Sequence, residues 1–144
     1  MPVTALWFGK AFLAMLNKEV DWDTDTIKVA LATSAYTPDQ DTHDYFNDVT
    51  NEVVGTGYTA GGATLGTKSI GYTAGTNVTK LDAADTVWTS STLTARYAIV
   101  YVSTGTPATS VLLGLLDFGE DKVSSAGDFT IAWNAAGIGT ITVA

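Results

Sequence analysis

Apolar and polar residues alternate with a period of two through most of this chain. Ile27-Lys-Val-Ala-Leu-Ala-Thr-Ser34 places Ile27, Val29 and Leu31 on one face and reads as a strand. Residues 68–73 and 77–81 flank Ala74-Gly75-Thr76, a hairpin signature. Residues 86–88, 92–102, 111–118, 128–133 and 138–143 continue the pattern, separated by Gly, Ser, Asp and Pro turns. Some eight short strands at this spacing predict one all-β domain over residues 1–144, an antiparallel β-sandwich or jelly-roll-like fold. No internal repeat or linker interrupts it.

Two stretches break the alternation. In residues 5–16, Trp7, Ala11, Ala14 and Met15 follow a helical spacing, while Gly9-Lys10 also fits a divider between two short strands. The reading leans to a short helix or an irregular lead-in. Residues 36–62 form the longest non-alternating segment, with a turn at Thr37-Pro38 and one helical turn at 44–49 behind Thr42 as N-cap. It ends in the glycine-rich run Gly55-Thr-Gly-Tyr-Thr-Ala-Gly-Gly62. A loop this long in a small domain is usually functional or an interface element.

The most apolar strand, 92–102, carries the only arginine, Arg96. Strict alternation puts Leu93, Ala95, Tyr97, Ile99 and Tyr101 on one face and Thr94, Arg96, Ala98, Val100 and Val102 on the other. From Tyr97 onward both faces are apolar, the mark of a central strand. A guanidinium there stays charged and needs an acidic partner. The expected arrangement is a buried ion pair of Arg96 with Asp117, or failing that with Asp82 or Asp85.

Composition narrows the function classes. A formal net charge of −8, with seven basic residues spread over the chain, argues against nucleic acid. There is no cysteine, hence no disulfide, thiolate metal site or cysteine nucleophile. The N-terminus lacks the basic start of a secretory signal, and no apolar run approaches the ~20 residues of a membrane helix.

Candidate chemistry is sparse. Asp21, Asp23 and Asp25 share the spacing that opens a calcium loop, but the sixth position is Thr26 and the twelfth Ala32, so a solvated acidic turn is the better reading. Gly55-x-Gly57-x-x-Ala60 matches a relaxed dinucleotide fingerprint, yet Gly61-Gly62 follows where a helix must start. His43, the single histidine, neighbours aspartates and no nucleophile motif. Two carboxylates of glycosidase type could meet in space from anywhere in the chain, and nothing in the sequence singles out such a pair among fifteen acids. The reading is a non-enzyme with no catalytic, metal or cofactor residues. The aromatic residues remain, as core, sugar-stacking platform or protein interface.

Five segments together resemble a family of small tailed-bacteriophage virion proteins. They are 17–31 (NKEVDWDTDTIKVAL), 52–62 (EVVGTGYTAGG), 93–101 (LTARYAIVY), 114–119 (GLLDFG) and 129–134 (FTIAWN). The likeness runs over nearly the whole chain. It implies a structural component of the virion, assembled in the host cytoplasm, with the major capsid protein or other virion proteins as partners and a homo-oligomer as a further expectation. The leading expectation is a capsid decoration (cement) protein; a tail, baseplate or fibre part is the alternative, and a carbohydrate-binding module the alternative from another class. Trp7, Phe8, Tyr36, Tyr45, Phe46 and Tyr58 are the expected partner contacts. Removal of residues 41–51 is expected to leave a folded protein that no longer binds capsids.

Overall fold

The computed structural model describes residues 2–144. Its strands are β1 (Thr4–Trp7), β2 (Ile27–Ala32), β3 (Ala63–Thr64), β4 (Ser69–Thr73), β5 (Val78–Asp82), β6 (Thr86–Val102), β7 (Leu112–Ile131) and β8 (Gly139–Thr142), with a short helix, α1 (Ala11–Leu16), after β1. The strands pair antiparallel into a five-stranded sheet of order β1-β7-β6-β2-β3 and a three-stranded sheet of order β4-β5-β8. The protein is an all-β sandwich.

β2 explains why the larger sheet is central. Five of its six residues are buried, so it needs cover on both faces. Ile27, Val29 and Leu31 share a core with Trp22, Leu81, Val100, Val102 and Leu113, on the side of the smaller sheet. Ala30 and Ala32 share a second core with Phe8, Tyr36, Ile99, Tyr101, Leu112 and Leu115. The chain thus forms three layers: small sheet, large sheet, and the part of the non-alternating segment that lays Tyr36, Phe46 and Val49 over the far face, while Val53 and Tyr58 of the same segment reach the first core. Burying one such Leu or Ile contributes about 1.5–3 kcal/mol.

The smaller sheet is held by few large groups. β4 is exposed along its length, and Leu81 is the buried residue of β5. Trp7, at the end of edge strand β1, covers β8 at Gly139, where an added Cβ would enter the indole ring. That contact makes glycine obligatory there.

Strand boundaries differ from the expectation in an instructive way. Residues 86–88 and 92–102 are one strand, and 111–118 and 128–133 are ends of another, running to Ile131. The intervening Ser, Gly and charged residues read as turns, but bulges keep them in the ladder. Register shifts fall at Trp88/Ser91, Ser91/Leu93, Ala95/Tyr97 and Val100/Tyr101. Inside the ladder, Ser91 and Ser124 are buried and hydrogen-bonded through their hydroxyls (2.7 Å). Ser91 also donates to the Gly127 carbonyl (3.0 Å), and Ser124 accepts from the Leu93 N–H (3.1 Å).

Residues 5–16 combine both local possibilities, a strand and then a helix, with Gly9-Lys10 as the joint. The expected helical turn at 44–49 is a 3-10 turn, Phe46–Asp48, and Thr42 does not cap it. The Asp48 carboxylate does so instead, accepting from the N–H groups of Asp44 (2.9 Å) and Tyr45 (3.3 Å).

Candidate functional site

Arg96 sits at the largest irregularity of the β6–β7 ladder. Ala95 pairs with Lys122 but Tyr97 with Asp117, so one residue of β6 faces four of β7. The bulge breaks strict alternation: Leu93 and Ala95 share a core with Ala98 and Val100, while Tyr97, Ile99 and Tyr101 turn to the opposite one. Arg96 donates through Nε to Asp117 Oδ1 (2.6 Å) and through Nη2 to Oδ2 (3.3 Å). Asp117 Oδ1 also accepts from the Gly119 N–H (2.8 Å), at a residue with φ of +79°. The guanidinium, through its hydrogen bond above all, holds the Asp117 carboxyl below its ordinary range.

The expectation of a buried clamp needs correction here. The side chains of Arg96 and Asp117 are 27% and 31% exposed, because the bulge turns the pair sideways out of the sheet. It braces a bulge at the surface. The other two acids lie elsewhere: Asp82 pairs with Lys80 (2.9 Å) and Asp85 accepts from the Trp133 N–H (2.9 Å).

The six aromatics expected at a partner surface have mostly been used by the fold. Phe8 and Tyr36 are buried in the second core, with 0% and 1% exposure, so they are corrected from contact residues to core residues. The Tyr36 hydroxyl bonds His43 Nδ1 (2.9 Å), and burial pushes its ionisation up to about 12. Phe46 stacks on Tyr101 at 4.1 Å and 11°, clamping the long segment to the sheet. Tyr58 reaches into the first core, where it packs on Trp88. Its hydroxyl accepts from the Leu31 N–H (2.9 Å) and donates to Glu52 Oε1 (2.7 Å), and desolvation raises its ionisation far above the ordinary tyrosine value. These segments look like loops in sequence because their apolar residues lack a period; each aromatic finds its own seat on a sheet already formed.

Trp7 and Tyr45 lie at the border of a different surface. Trp7 is half-buried and packs on Phe12 with ring centroids 5.1 Å apart. Tyr45 donates to Glu19 (3.2 Å) and lines a small notch with Leu13, Ala14 and Val111. Between them α1 buries Ala11 and Ala14 and turns its larger residues outward: Phe12, Leu13 and Leu16 are 37%, 58% and 84% exposed. Leu6, on the adjoining edge strand, is also exposed. Positions 12, 13 and 16 are neighbours on a helix surface, so they form one apolar stripe. The helical spacing of Ala11, Ala14 and Met15 was visible in the sequence. What went unread is its complement, a helix whose bulkier side chains face away from the core.

The stripe offers no groups for acid–base or nucleophilic chemistry; it offers area for apolar contact. Among the described residues, no set of three or more His, Cys, Asp or Glu side chains is arranged to hold a metal ion, and no helix is long and apolar enough to cross a membrane. The Asp21–Asp25 turn spends its side chains on its own backbone, Asp21 accepting from the N–H groups of Asp23 (3.1 Å) and Thr24 (3.2 Å). Comparisons with protein-family models, curated proteins and solved structures return no match.

Proposed function

We propose that this chain is a structural protein of a bacteriophage particle, a decoration protein that docks on the outer head shell through the exposed face of α1. The observation that carries the docking surface is the Phe12–Leu13–Leu16 stripe, three large apolar side chains exposed on one short helix and adjoined by Trp7 through its packing on Phe12. Exposed apolar residues clustered on one element mark contact sites far better than the same residues scattered. The virion assignment rests only on the resemblance read from the five sequence segments at 17–31, 52–62, 93–101, 114–119 and 129–134. A bulge-braced β ladder and a loop layer fastened by Phe46 and Tyr58 suit a part that must stay rigid.

The test uses heads of the phage whose genome encodes this chain, prepared without it. Added wild-type protein is expected to saturate them at several hundred copies per head, as repeated docking on a symmetric shell requires. The double variant Leu13→Lys with Leu16→Lys is expected to melt with the wild type, since exposed substitutions cost within about 0.5 kcal/mol, and to lose head binding. Undiminished binding by that variant removes α1 from the contact. A handful of copies per particle moves the protein to the tail, and none in purified virions ends the assignment.

A further inference from the structure

Lys68 lies between β3 and β4, where the chain leaves the five-stranded sheet for the three-stranded one. Its ammonium donates to three backbone carbonyls of the acidic turn before β2: Trp22 (2.7 Å), Asp23 (3.3 Å) and Asp25. An ammonium has three N–H donors and no acceptor. Three oxygens gathered around one nitrogen therefore satisfy it completely. The carboxylates of the same turn do not join them. Asp21 accepts from its own turn, and Asp25 accepts from the Asp21 N–H (2.7 Å).

We propose that the Asp21–Asp25 turn is a carbonyl cradle for a monovalent cation of ammonium or potassium size, whose resident cation is the tethered ammonium of Lys68. The donor set decides the class. Hard oxygen ligands select hard cations, and a divalent ion such as calcium draws carboxylates into its shell. Here three neutral carbonyls face the charge, and the carboxylates stand behind it as a source of negative potential. Lys68 in turn helps to lower the Asp21 ionisation, after the larger effect of the Thr24 hydrogen bonds. The spacing that suggests a divalent-ion loop in the sequence thus serves a cation supplied from more than forty residues away.

The cradle has a structural consequence. The Trp22 side chain is buried between the sheets, beside Leu81, Val100 and Leu113, in the wall of a cavity of about 210 Å³. Holding the Trp22 carbonyl ties the backbone that carries this ring to the entry of β4. The latch therefore links the turn before the large sheet's β2 to the first strand of the small sheet.

The test is Lys68→Met, which keeps the aliphatic stem and removes the charge. In sodium chloride its melting temperature is expected to fall by about 3–6 °C, the loss of one set of charge-assisted hydrogen bonds in a domain of this size. At equal ionic strength, ammonium chloride or potassium chloride is expected to restore part of that loss in the variant and to leave the wild type unmoved. Should the variant be unfolded in sodium chloride, folding in ammonium chloride is the expected result. A variant as stable as wild type overturns the proposal. So does a loss that sodium, potassium and ammonium repair equally, or that none of them repairs.

Discussion

Phe46→Ala asks whether the long segment is a layer of the core or a free contact loop. The ring is half-buried and lies at 4.1 Å and 11° on Tyr101, itself 3% exposed, over the second core. Truncating a fully buried Phe costs about 3–5 kcal/mol. Half of that, with the stacking lost, gives about 2 kcal/mol. With an unfolding entropy of about 2.1 cal/mol/K per residue, a chain of 144 residues loses about 6–7 °C of melting temperature. Thermal denaturation followed by circular dichroism measures it, with exposed Asn47→Ala as the unchanged control. Amide exchange should quicken at Leu112, whose N–H donates to the Asp44 carbonyl (2.9 Å). A Phe46→Ala protein that melts with the wild type would refute the packing of this segment on the sheet. For the same reason removal of residues 41–51 is now expected to unfold the second core, not to leave an intact protein lacking one function.

Two further outcomes follow from individual contacts. The Asp117 carboxyl is held below its ordinary value of 3.8 by Arg96, so its contribution is present above that value and is lost as pH falls through the depressed one. Asp117→Asn is therefore expected to flatten the acid limb of a stability–pH profile, and an unchanged limb would count against the brace. Tyr58→Phe leaves the Leu31 N–H without its acceptor and is expected to cost about 1–3 kcal/mol in urea unfolding; a neutral result would mean that water replaces the hydroxyl.

Local pattern was enough to determine the β class, the β4–β5 hairpin and β2 as a strand, though not its cover on both faces. The reason is that period-two alternation and turn residues are short-range properties, written wherever one face is wet. The apolar stem of the Arg96 strand was legible for the same reason. Tertiary structure decided the rest. A bulge inserts residues that sequence cannot distinguish from a turn, so the fusion of 86–102 and 112–131 into two long strands was invisible, as was the face reversal at Arg96. Whether an aromatic in an aperiodic segment is a contact or a core residue depends on what surface the rest of the chain presents to it. Phe8 and Tyr36 went inward because the far face of the large sheet had no other cover. The outward face of α1 was left bare because Ala11 and Ala14, small enough to let the helix approach the sheet, took its inner side.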